Sequence, residues 1–117
     1  MAKAVKRKLS GSSAGALGIT VDAVESPGTT IHTAIAGETE GTYDEVWLWV
    51  YNSHTSDVVV SLEWGSSSLP RTRTIPFKSG LVPLIPGLPL QNGVTVKAFA
   101  SIANVIVIDG FINSITD

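Results

Sequence analysis

DEVWLWVYNSHTSDVVVSLEWG, residues 44–65, holds two strand-forming segments of opposite amphipathic character. Side chains alternate across a strand, so in the second segment Val58, Val60, Leu62 and Trp64 share one face while Asp57, Val59, Ser61 and Glu63 share the other. One side is dry and the other mostly wet, with the acidic side expected to face solvent. In the first segment Val46, Leu48 and Val50 alternate with Trp47, Trp49 and Tyr51, and neither set is suited to water. One face fills the core of a small domain, and the other then needs a covering of its own. A strand apolar on both faces, in a chain of 117 residues, points to a protein completed by packing against another subunit.

The same period of two runs outward along the chain. Ala16–Ser26, Thr29–Ile35, Glu45–Asn52, Asp57–Trp64, Arg71–Phe77, Gly93–Ser101 and Asn104–Ile112 read as strands rich in Val, Ile, Thr and aromatics. Pro27-Gly28, Gly37–Gly41, Asn52–Ser56, Gly65–Pro70, Ser79-Gly80, Pro86-Gly87 and Asn92-Gly93 punctuate them with turn-forming residues. Asn52–Ser56, between two strongly patterned strands, reads as a hairpin loop. No stretch has helical periodicity. The expected fold is an all-β, antiparallel sandwich or jelly roll of about seven to eight strands in one domain, residues 16–117.

Composition agrees with assembly. The chain contains 44% hydrophobic but only 15% charged residues, and the latter is well below the usual quarter. There is no cysteine, which excludes disulfides and thiolate metal sites. No run approaches the roughly 20 apolar residues of a membrane helix, so a soluble product made in the cytoplasm is expected, with no membrane partner. Charge is unevenly spread. Lys3, Lys6, Arg7 and Lys8 are half of the eight basic residues, and the other four basic and ten acidic residues leave the remainder at a net of −6. With the Ser/Gly/Ala-rich LSGSSAGALG behind it, the segment 1–15 reads as a flexible basic arm. Four cations without interleaved aromatics are a weak nucleic-acid signal, so the arm reads as a solvated, disordered terminus, with ordering along an acidic neighbouring subunit as the alternative.

Leu81–Gly93, LVPLIPGLPLQNG, is unusual in another way. Prolines 83, 86 and 89 remove ladder donors and so exclude a central strand, yet Leu81, Leu84, Ile85, Leu88 and Leu90 are too apolar for an ordinary exposed loop. This is a stiff, extended connection that either caps the core or docks on a partner. Together with Trp47, Trp49 and Tyr51 these residues form the candidate interface, and Lys3, Lys6, Arg7 and Lys8 the candidate contacting arm.

Catalytic patterns are missing. The acid pairs Asp44-Glu45 and Glu38/Glu40 fall in turns or at strand ends where they are expected to be solvated. Nothing in the spacing of Asp22, Glu63 and Asp109 builds a carboxylate site. His54 is expected to face solvent from its turn and His32 to lie on the wetter side of its strand. With no phosphate loop, metal-ligand cluster or nucleophile elbow, no enzyme activity, metal or cofactor is expected.

The series TTIHTAIAG, DEVWLWVYNSHTSDVVVSLEWG, IPFKSGLVPLIPGLPLQNGVTVKAFAS and NVIVIDGFINSI resembles small head proteins of tailed bacteriophages, those that decorate or cement the capsid shell. The similarity spans Thr29–Ile115 and rests on the order and spacing of these segments. It implies a sandwich or jelly roll that binds the major capsid protein on the outside of the virion without chemistry, as a homo-oligomer, typically a trimer. Two other readings stay open: a carbohydrate-binding head-fibre or host-attachment module, whose aromatics stack on sugars, and a tail or connector subunit.

Overall fold

The computed structural model describes residues 3–117, so the first two residues of the expected arm lie outside it. The described residues form nine strands and no helix: β1 (Lys3–Lys8), β2 (Ile19–Val21), β3 (Thr29–Thr33), β4 (Tyr43–Asn52), β5 (Val58–Trp64), β6 (Arg71–Ile75), β7 (Val82–Leu90), β8 (Thr95–Ala100) and β9 (Ile106–Thr116). One sheet has the order β1-β9-β4-β7, with β2 also on β9, and the other has the order β3-β8-β5-β6. All pairs are antiparallel. From β2 onward every connection except β5–β6 passes from one sheet to the other. That is the winding of a jelly roll.

β4 is central in the first sheet, and the structure decides which of its faces is the core. Val46, Leu48 and Val50 are at most 1% exposed. They meet Ile106, Ile108 and Ile112 from the same sheet and Val58, Val60, Leu62, Val96 and Ala98 from the other, in one continuous core. Each such Val, Leu or Ile side chain contributes about 1.5–3 kcal/mol by leaving water. Trp64 ends the apolar face of β5 and packs against this core from its margin.

Asn52–Ser56 is not a hairpin. β4 and β5 belong to different sheets, and the segment is the corner between them. Asn52 builds that corner and is 1% exposed. Its Nδ2 donates to the carbonyls of Ser56 (3.0 Å) and Ile75 (2.8 Å), while its Oδ1 accepts from the His54 amide (2.8 Å). The side chain thus satisfies backbone groups that a sheet-to-sheet turn leaves without ladder partners. His54 is accordingly half-buried.

The N-terminal segment also departs from expectation. Lys3–Lys8 is an edge strand paired along Phe111–Thr116, because β9 runs four residues past Ile112 and presents a free edge. Backbone pairing makes no demand on side-chain polarity, so a basic segment serves. Leu9 is 0% exposed within the core, and the Gly11 amide donates to Ile31 O at 2.9 Å, so the connector is tied down well before residue 16. The expected strand Ala16–Ser26 shrinks to Ile19–Val21. A turn with positive φ at Gly15 and Ala16 precedes it, and Thr29 Oγ1 accepts from the amides of Asp22 and Ala23 just beyond it.

Asn52→Leu keeps the volume but leaves the Ile75 carbonyl buried without its donor. It is expected to lower unfolding free energy by about 2–4 kcal/mol, read from the urea midpoint. Removing residues 1–8 takes away, among the described residues, only the exposed edge strand Lys3–Lys8 and should leave a cooperatively folded domain. Leu9→Ala, by contrast, should cost about 2–5 kcal/mol; equal losses from the two changes would contradict the assignment of Leu9 to the core.

Candidate interaction face

The side of β4 turned away from the core carries Tyr43, Glu45, Trp47, Trp49 and Tyr51. Across from them on β9 stand Ile115, Asn113, Phe111, Asp109 and Val107. Trp47, Trp49 and Phe111 form an offset stack, with ring centroids 6.5, 6.1 and 6.0 Å apart and planes within 25° of parallel. Such pairs add about 0.5–1.5 kcal/mol beyond burial. The Lys6 ammonium lies 4.6 Å from the centroid of Phe111, so β1 adds a cation at this ring of the cluster.

Two glycines let this face form. A Cβ at Gly110 would fall 2.1 Å from Trp47 O, so only glycine lets β9 close on β4 there. At Gly87, with φ +76°, a Cβ would meet Trp47 Cζ2 at 2.7 Å, and the indole therefore rests on bare backbone of β7.

Trp47 is fixed at its polar end too. Its Nε1–H donates to Glu45 Oε1 at 2.8 Å, and Asn113 Nδ2 donates to the same oxygen at 3.1 Å. These bonds, that from Asn113 foremost, favour the carboxylate and hold the Glu45 pKa below its ordinary value. Glu45 and Tyr43 continue into an open cleft of about 610 Å³ with Glu40, Pro89, Leu90 and Gln91.

Leu81–Gly93 contributes less surface than expected. Val82–Leu90 is the outer strand β7, bulged twice against β4, and Pro83, Pro86 and Pro89 stand opposite Trp49, Trp47 and Glu45. An edge position tolerates their missing donors. Ile85 and Leu90 turn into the core at 7% exposure each, and Leu84 packs on its margin. Only Leu81 (58%) and Leu88 (44%) remain exposed candidates from this stretch, beside Tyr51 at 39% and the half-buried Trp47 and Trp49.

Three polar residues expected at the surface are buried. His32 is 3% exposed, with Nδ1 accepting from the Ser10 amide at 3.0 Å and Nε2 set 2.8 Å from Asp44 Oδ2. Nδ1 is the acceptor, so the ring proton sits on Nε2 and is donated to Asp44. The Ile35 amide reaches the same Asp44 oxygen at 3.1 Å, whereas Oδ1 is buried and has no partner among the described residues. Serine, histidine and aspartate meet here, but Ser10 Oγ accepts from the Thr33 amide at 2.7 Å and makes no bond to the imidazole. The cluster fastens the start of the connector to β3 and β4. Glu63, on the supposedly wet side of β5, is 5% exposed because the loop before β3 folds over it, with Ser26 Oγ and the Gly28 amide both donating at 2.7 Å. No group of three or more potential metal-ligating side chains occurs among the described residues.

Sequence reasoning missed Phe111 and Asn113. Nothing in NVIVIDGFIN marks them as partners of Trp47 and Glu45, since only the β4–β9 register brings them together.

Comparison with family models, curated proteins and solved structures finds no match to this chain.

Because the Glu45 pKa is lowered on folding, its hydrogen bonds add stability above the ordinary carboxylate range, and that contribution is lost as pH falls through the lowered value. Asn113→Leu removes the larger cause. A carbon-detected NMR titration of Glu45 should then show its pKa move up toward the ordinary value, and an unmoved titration would rule out Asn113 as the cause.

Proposed function

We propose that this chain is a structural adhesion protein of a bacteriophage virion, a capsid decoration protein that binds the major capsid protein on the shell exterior through the outward face of β4, β9 and β7. One observation carries this reading. The Trp47–Trp49–Phe111 stack is fully built on a sheet whose other face already fills the core. A pre-ordered aromatic surface loses little entropy on docking, and tryptophan is the residue type most enriched in interface hot spots. The resemblance of Thr29–Ile115 to decoration proteins points to a protein shell as the partner. Repetition over many copies multiplies a modest contact into a large effect on the shell.

A carbohydrate-binding reading finds support in the Glu45 carboxylate held beside Trp47 at the edge of a cleft. Sugar stacking needs a broad open ring face, however. Here Phe111 is approached by Lys6, and Trp47 rests on Gly87. Adhesion to protein is the better fit.

Trp47→Ser with Trp49→Ser removes the stack and leaves the core-facing side of β4 untouched. The variant should keep a cooperative unfolding transition and bind capsid shells of its phage at least about 30-fold more weakly, which is about 2 kcal/mol. Undiminished occupancy on shells would remove the face from this role, and saturable binding of a glycan array lost in the same variant would favour the carbohydrate reading.

A further inference from the structure

We propose that copies of this chain associate head to tail, the basic strand β1 of one copy lying against the acidic cleft at the β4–β7 side of the next. The inference concerns the protein alone and does not depend on a shell.

All six residues of β1 are exposed, and among the described residues the strand pairs only with β9, which leaves its other edge without a strand partner there. Half of the basic residues of the chain are on this strand. No Lys or Arg lies within ion-pair distance of a carboxylate among the described residues. Lys6 is engaged by Phe111 and Lys8 by the carbonyls of Leu9 and Ser12, whereas Lys3 and Arg7 make no side-chain hydrogen bond or ion pair among the described residues.

A symmetric contact is opposed by charge. Pairing β1 with β1 of a second copy would set lysine and arginine against their like, which is unfavourable between neighbouring strands, and edge lysines commonly guard against such pairing. The complement has to be acidic and elsewhere on the molecule. Of the three clefts described, one is lined by Arg7 and Lys8 and another by Lys97. Each of those two also holds one carboxylate, Asp44 or Glu63, but only the cleft of about 610 Å³ combines two, Glu40 and Glu45, with no basic residue. Glu45 uses Oε1 for Trp47 and Asn113, and Oε2 has no hydrogen-bond partner among the described residues.

Chain connectivity makes the contact intermolecular. β1 and β7 are opposite edges of one sheet, so the basic edge cannot fold back onto the cleft across β9 and β4. Prolines deprive β7 of three amide donors, and the sheet cannot simply continue from copy to copy. Ion pairs form the contact, with the aliphatic stems of the cations lying on Tyr43 and Pro89. Different patches meet in such an interface, which closes into a ring when the rotation allows.

Sedimentation velocity of the purified full chain tests this. At about 0.1 M salt, where the screening length is about 10 Å, the chain should associate, and at about 1 M, where it is about 3 Å, it should move toward monomer. Lys3→Glu with Arg7→Glu, and separately Glu40→Lys, should each weaken association at least about tenfold, with far-ultraviolet circular dichroism confirming an unchanged sheet. Mixing the two variants should restore association, because the acidic strand of one then meets the altered cleft of the other. A monomer at both salt concentrations overturns the proposal. Association indifferent to both charge reversals does so too and would assign the contact to the aromatic face. Trp49→Ser separates the two readings, since it should weaken shell binding and leave self-association in place.

Discussion

The pairing of β4 with β9 is the constraint on which the rest of this structure depends. Ten residues of β4 are in register with β9, and a one-residue slip would turn every core side chain to the surface. Apolar pattern alone does not prevent such a slip in a strand with valine and leucine on one side and tryptophan on the other. Polar residues do. Asp44, Val46, Leu48, Val50 and Asn52 share the buried face, so the apolar run is closed at each end by a buried polar side chain with fixed partners. Shifting the register would bury tryptophan but strand these bonds, and an unpaired buried polar group costs about 1–3 kcal/mol. Gly110 adds a steric lock, because only there can β9 approach Trp47 O so closely.

The same lock sets the outer face. Once the even-numbered residues of β4 are inside, Tyr43, Glu45, Trp47, Trp49 and Tyr51 are outside, and β9 supplies Phe111 and Asn113 at matching heights. The aromatic stack and the anchored carboxylate are therefore consequences of the arrangement that orders the core. A contact surface made this way is rigid before any partner arrives, and rigidity retains more of the contact energy as affinity.

Charge is distributed along the same sheet. Its β1 edge is basic, its β4–β7 side is acidic, and the aromatic stack lies between, bordered by Lys6 and Glu45. Such a surface has apolar area for adhesion and asymmetric charge for orientation, and electrostatic complementarity mainly governs which partner and which register are chosen. Few charges, no ion pair involving Lys or Arg among the described residues, and a two-faced central strand fit the proposed role in assembly.

By itself the sequence determined the all-β class, the positions of most strands and turns, the peripheral place of the proline-rich segment, and the presence of one strand apolar on both faces. These follow from local rules: a period of two, β-branched and aromatic enrichment, and the missing amides of Pro83, Pro86 and Pro89. Only the tertiary structure decided that Trp47, Trp49 and Tyr51 face outward, that Asn52–Ser56 joins two sheets, that Lys3–Lys8 is a strand, and that His32, Asp44 and Glu63 are buried. A period of two states that two faces differ but not which is covered or by what. That depends on pairing between residues far apart in the chain, such as Trp47 with Phe111, and on loops that fold over otherwise open strands, as residues 26–28 do over Glu63.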